Sequence, residues 1–194
     1  MTELRNIKVT AIGSITNNGI DDSTQSLQTI EYEHHEIHGG ASFTAQNFQN
    51  TASGGEFNLG FTTANGSKWV HAIEEVQGTA ITELRIYEGA TLSGGTAISH
   101  INRNRNSPTT ATGICTENPT VSGSSPTSGT LLIAQSFGDA TTPSKTFGGE
   151  TRGIQEFILK SGTTYLFNLR SATNDNIISS KLEWYEHTDK VQQF

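Results

Sequence analysis

From Thr82 to Tyr87 the side chains alternate: Thr82, Leu84 and Ile86 can face a core, while Glu83, Arg85 and Tyr87 point the other way. A period of two belongs to a half-buried strand. Gly89 ends this strand, and Gly94-Gly95 allows a turn at positive φ before a second short strand over Thr96–Ile101. The same alternation returns along the chain, in Glu56–Thr63 (Phe57, Leu59, Phe61), Thr163–Arg170 (Tyr165, Phe167, Leu169) and Ile178–His187 (Leu182, Trp184). Turn signals separate these runs roughly every 8 to 14 residues. No run has the period of a helix of three turns. About ten short strands are expected, arranged as a single all-β sandwich of jelly-roll type over residues 27–194.

Composition supports that class. Only 32% of the 194 residues are hydrophobic and 16% charged, with 20 glycines. Low hydrophobicity with low charge differs from disorder by composition, which pairs low hydrophobicity with high net charge. Thr-rich and Gly-rich sequence favours strands and turns over helices. Residues 1–26 are polar and interrupted, and read as an N-terminal arm or an edge strand. The net charge of −7 argues against general nucleic-acid binding, which depends on neutralising phosphates. Cys115 is the only cysteine, so no intrachain disulfide forms and a thiolate zinc cluster is excluded within one chain. The first residues carry no apolar signal-peptide core, and no apolar run is long enough to span a bilayer.

Local pairings follow from the turns. Asn65-Gly66 predicts a hairpin between Phe57–Thr63 and Trp69–Val76. Ser26–His38 reads as a further strand, closed by Gly39-Gly40, with Ile30, Tyr32, His34, Glu36 and His38 on one face. Neither face of that strand is cleanly apolar, which places it at an edge or in an interface. On an extended strand His34 and His38 lie about 13 Å apart, too far to share an ion, whereas on a helix they would stand at i and i+4 and could chelate. No metal site is expected on the strand reading. Tyr-Glu-His occurs at Tyr32–His34 and again at Tyr185–His187, which adjacent strands of similar polarity would explain.

A catalytic constellation does not emerge. Glu74 and Glu75 point to opposite faces of a strand and cannot flank one glycosidic bond. The chain has no Gly-x-Ser-x-Gly elbow, Walker-type loop or dinucleotide fingerprint. A non-enzymatic role without cofactors is expected. The candidate binding groups are Arg103 and Arg105 in the tip Asn102–Asn106, since the Arg fork pairs with carboxylates. Glu150 and Arg152 at a loop-to-strand junction could form an ion pair between subunits. With Tyr32, His34 and His38, these residues make up an expected subunit or partner interface.

Four segments and one junction carry a resemblance. Tyr32–Gly40, Leu84–Gly89, Ile101–Ser107 and Leu182–Thr188, with Gly148–Gly153, resemble virion proteins of tailed bacteriophages and span residues 29–188 in order. The resemblance is to capsid cement or decoration proteins, β-sandwich knobs that assemble on the head shell, often as trimers. It implies the major capsid protein as partner, self-association into a trimer, a place on the capsid surface after synthesis in the host cytoplasm, and no contact with membrane or nucleic acid. An alternative virion role is an adhesin, in a head fibre or tail, that stacks Trp69, Tyr87 or Trp184 on host glycans, although burial of both tryptophans is the ordinary fate of that residue.

Overall fold

The computed structural model describes residues 32–122, 129–138, 147–150 and 156–188, with backbone only at 32 and 147–150. The expected arm over 1–26 and Arg152 lie outside the described residues. In chain order the elements are α1 (Tyr32–His38), β1 (Ser42–Thr51), β2 (Glu56–Thr62), β3 (Lys68–Gly78), β4 (Thr82–Glu88), β5 (Leu92–Ser93), β6 (Thr96–Ala97) and β7 (Ile101–Asn102). They continue as β8 (Ile114–Glu117), β9 (Thr120–Val121), β10 (Thr130–Phe137), β11 (Phe147–Glu150), β12 (Phe157–Leu159), β13 (Thr164–Ser171) and β14 (Asn176–Thr188).

Two antiparallel sheets pack as a sandwich. The first runs β11-β3-β14-β1-β7, with β12 also on β3, and the second runs β10-β4-β13-β2-β8-β6. Their facing side chains form one core in which Trp184 lies 5.8 Å from Phe43 and 5.0 Å from Phe61, ring centre to ring centre. Thr82, Leu84 and Ile86 are buried, as their alternation predicts. Tyr87, expected outward, is buried as well, because it packs with Ala90, Leu166, Leu92 and Val121 in a second small cluster. The β5–β9 ribbon supplies Leu92 and Val121 and so covers part of the second sheet's outer side. The first sheet has no such ribbon among the described residues.

Two expectations are corrected. Tyr32–His38 is helical rather than extended. Its end is a Schellman turn: the Ala41 amide donates to the Glu36 carbonyl and the Gly40 amide to Ile37, with Gly40 at φ 72. A Cβ at Gly40 would stand 2.3 Å from Ser107 Oγ, so only glycine fits. The Gly-Gly pair therefore stops a helix rather than a strand. The mixed polarity of the run, poor for a strand, suits a short helix that buries Glu36 and exposes His34, His35 and His38. The two Tyr-Glu-His copies accordingly lie on a helix and on β14, not on adjacent strands. Likewise Asn65-Gly66 does turn the chain, but β2 pairs with β13 and β8 while β3 pairs with β14. The turn crosses between sheets because Phe57, Leu59 and Phe61 must oppose Val70, Ala72 and Val76 through the core.

Two carboxylates lie inside on the first sheet and behave oppositely. Glu186 accepts from the Thr112 amide (2.9 Å), Thr112 Oγ1 (2.7 Å), the Gly113 amide (3.0 Å) and Trp184 Nε1 (3.2 Å), with Lys68 Nζ at 3.5 Å. Burial alone would raise its pKa, but these donors favour the ionised form and hold it below the usual carboxylate range. Glu74 has Ser180 Oγ as a donor and lies among Ile86, Phe157 and Phe167. Burial dominates there and pushes its pKa up to about 8.

Glu186→Gln is expected to cost on the order of 2 kcal/mol in urea unfolding at neutral pH, because it weakens charge-assisted bonds in a dry site. The wild-type contribution of Glu186 is present above the unfolded carboxylate pKa and is lost as pH falls through the depressed folded value. For Glu74 the sign reverses. The native state holds the proton that the unfolded chain releases, so stability declines as pH rises from the ordinary carboxyl value of 4.5 to about 8. Glu74→Gln should flatten that decline, read as the urea midpoint by tryptophan fluorescence at pH 5 and pH 8. An equal slope in both proteins refutes the assignment.

Candidate functional site

The strongest concentration of chemistry lies on the outer face of the first sheet. The β3–β14 register runs from Ile178 opposite Gly78 to Thr188 opposite Lys68. With Val70, Ala72, Ile178, Leu182 and Trp184 buried inside, alternation turns Trp69, His71, Ile73, Glu75 and Gln77 outward on β3. It does the same for Ile177, Ser179, Lys181, Glu183, Tyr185 and His187 on β14. On β1, Gln46, Phe48 and Asn50 share this side.

A chain of alternating charges crosses the middle of the face. Lys181 Nζ stands 2.6 Å from Glu75 Oε2 and 3.4 Å from Glu183 Oε1. Arg103 Nη1 stands 3.9 Å from Glu183 Oε2 and 2.6 Å from Glu33 Oε1 on α1. The hydrogen bond from Lys181 lowers the Glu75 pKa, and the same bond raises that of Lys181. Arg103 thus fastens α1 to the sheet, helped by its backbone amide on the Ser42 carbonyl (2.9 Å) and by Asn104 Nδ2 on the His38 carbonyl (3.0 Å).

Beyond this band, aromatic and imidazole groups gather where β3, β14 and β12 meet. Tyr185 OH donates to Glu156 Oε1 (2.6 Å), and His71 Nδ1 lies 2.5 Å from the same oxygen. The His71 ring stacks on Tyr185 at 4.5 Å, and its Nε2 faces His187 Nε2 at 3.0 Å. Trp69, 44% exposed, flanks His187 with ring centres 6.2 Å apart.

Of the residues singled out in the sequence, those of α1 and the 103–105 tip come together at one edge of the sheet. His34 and His38 face outward with Nε2 atoms 3.0 Å apart, at i and i+4 of a helix. Arg103 is engaged internally, and Arg105 is exposed with a 3.5 Å contact to the Asn102 carbonyl. Tyr32 begins α1. Glu150 ends β11, opposite Glu75, on the other edge of the same sheet. Sequence reasoning missed the His71–Tyr185–His187–Glu156 group. Its only local trace is the i, i+2 spacing in Trp69-Val70-His71 and Tyr185-Glu186-His187, which acquires meaning once β3 and β14 are known to pair.

Among the described residues no group of three or more His, Cys, Asp or Glu side chains is arranged to hold a metal ion. Burial pushes the Cys115 thiol up to about 12, so it stays protonated and is a poor nucleophile. No helix among the described residues is long and apolar enough to cross a membrane. No family model matches the chain, and neither a curated protein nor a solved structure is similar enough to count as a match.

Arg103→Ala should loosen α1 without unfolding the sandwich. The expected result is faster hydrogen exchange at the Gly39, Gly40 and Ala41 amides with a global loss of only about 1 kcal/mol, because Arg103 and Glu33 are both partly solvated. Arg105→Ala should leave those amides protected. Equal exchange in the two variants contradicts the fastening role.

Proposed function

We propose that this chain is a non-enzymatic structural protein of a phage virion, a decoration protein that binds the major capsid protein on the outside of the assembled head. The observation that carries the reading is the distribution of exposed apolar side chains. Five of the seven large hydrophobics exposed among the described residues, Phe48, Trp69, Ile101, Ile158 and Ile177, belong to strands of the first sheet and point to its outer side. Scattered single exposures are ordinary on a soluble surface, whereas a bias of most of them to one face supports a contact surface there. The segments that resemble phage virion proteins support the choice of partner.

The strand order supports a jelly-roll reading. β1, β14, β3 and β11 lie side by side in one sheet and β2, β13, β4 and β10 in the other, the nested arrangement of two Greek keys. Trimer formation fits the placement of the edge groups. His34 and His38 on α1 and Arg105 after the edge strand β7 are exposed, Tyr32 begins α1, and Glu150 ends the opposite edge strand β11, followed in sequence by Arg152. Contact between unlike edges of successive copies is heterologous, and such contacts give a ring where the rotation between copies closes, as a trimer would require. Arg103, held by Glu33 and Glu183, would position this edge. The protein would be made in the host cytoplasm and end on the capsid surface.

Trp69 favours a second reading. Of the three aromatics considered for glycan stacking, Tyr87 and Trp184 are buried and Trp69 is exposed. A virion adhesin would use it as a sugar platform.

Co-sedimentation with undecorated heads at micromolar concentration should recover wild-type protein with the capsids. A Trp69→Ala, Phe48→Asp double variant should stay in the supernatant while remaining folded. Loss of host-polysaccharide binding in Trp69→Ala, with no capsid binding by wild type, selects the adhesin reading instead.

A further inference from the structure

The hydrogen bonds around His71 and His187 fix more than their positions. His71 Nδ1 lies 2.5 Å from the Glu156 carboxylate, and His187 Nδ1 lies 3.0 Å from the Thr188 carbonyl oxygen. A carboxylate and a carbonyl accept, so these contacts favour the tautomers with the ring proton on Nδ1 and a lone pair on Nε2; the Tyr185 hydroxyl, also 3.0 Å from His71 Nδ1, gives its proton to Glu156 in that arrangement. Those two Nε2 atoms face each other at 3.0 Å. Two lone pairs so close repel unless a cation lies between them.

We propose that His71 and His187 form a two-histidine site for a divalent transition-metal ion, with zinc, copper or nickel as the class that imidazole donors suit. An ion about 2.1 Å from each nitrogen would bridge the observed gap at close to a right angle, leaving its remaining positions to water. The surroundings are those of a metal-bound imidazole. A ligating histidine characteristically donates its other N–H to a carboxylate or a backbone carbonyl, and here Glu156 and the Thr188 carbonyl fill those two roles. Tyr185 stacks on His71 and donates to the same Glu156 oxygen, which sets the carboxylate in place. The ligands stand on neighbouring long strands, His71 opposite Tyr185 and His187 opposite Trp69, so the sheet brings them together with no loop to order.

The His34–His38 pair on α1 also has Nε2 atoms 3.0 Å apart, but it is exposed, and among the described residues no acceptor anchors either Nδ1. It serves as the internal comparison. The metal site is independent of the docking reading, since it concerns this chain in isolation.

Calorimetric titration of the untagged full chain with Zn2+ should show one ion bound per chain. His187→Ala, a change at a partly exposed position, should weaken binding by at least about tenfold, and Glu156→Gln by about tenfold through the lost anchoring bond. A His34→Ala, His38→Ala double variant should bind as wild type does. Imidazole nitrogen NMR should report Zn2+ at Nε2 of His71 and His187 with Nδ1 protonated. Urea unfolding confirms that each variant is folded, and Glu156→Gln keeps both ligands should His187→Ala fail that check. Zinc binding that survives His187→Ala, or that follows the α1 pair, overturns the proposal. So does an absence of zinc binding with NMR showing one ring doubly protonated, which would make the bridging cation a proton.

Discussion

The pairing of β3 with β14 sets what both faces of the first sheet carry. Its register puts Val70, Ala72, Val76, Leu182 and Trp184 inside, and the same register puts Trp69, His71, Glu75, Lys181, Tyr185 and His187 outside. A slip of one residue on either strand would exchange these sets, burying imidazole and lysine and exposing the central tryptophan. The register is therefore specified strongly by the core, and the outer face inherits its order from it. Glu186 extends that order to the loop after β7. By accepting from the Thr112 and Gly113 amides it binds the far end of the loop to β14, while Arg103 binds the near end to Glu33 and Glu183.

Glu74 and Glu186 show how little burial alone decides. Both carboxyl groups lie on the inner side of the same sheet. Glu186 meets two backbone amides, a hydroxyl, an indole N–H and a lysine, and stays ionised. Glu74 meets a serine hydroxyl and apolar walls, so it is held neutral well above ordinary carboxylate pH. At Glu186 the hydrogen-bond donors outweigh desolvation, and at Glu74 desolvation outweighs the bond from Ser180.

The strands were the legible part of this fold because a half-buried strand writes its burial into every second residue. Glu56–Thr62, Thr82–Glu88 and Thr164–Ser171 lie where alternation places them. α1 was misread because seven residues hold too little helical period to outweigh a Gly-Gly stop that ends strands and helices alike. The Asn65-Gly66 turn was read correctly and its partners wrongly. Turn chemistry is local, but sheet membership depends on β13 and β14, about a hundred residues further along. The site divides the same way. Arg103 was visible as a charge on a polar tip, yet its partners Glu33 and Glu183 are distant in sequence, and they convert a projecting loop into a brace. His71 and His187 are likewise unremarkable until the register makes them diagonal neighbours.

On the docking reading, the pattern of the outer face constrains how a partner could use it. The β5–β9 ribbon occupies part of the second sheet's outer side, and α1 occupies part of the first sheet's, where Arg103 bridges Glu33 and Glu183. Four of the first sheet's five exposed apolar groups sit at two ends, Trp69 with Ile158 and Phe48 with Ile177, and Ile101 lies on the β7 edge level with Glu183, while the band between the ends is charged and already paired within the chain. Desolvating paired charges gains little, because their mutual attraction is offset by the water they lose. Affinity would then come from the apolar ends. The Glu75–Lys181–Glu183–Arg103–Glu33 band would fix register by resisting any partner that places an unmatched charge over it. Two separated apolar contacts with a polar strip between them define one orientation of a bound surface, as a knob repeated in a fixed pose on a regular shell requires.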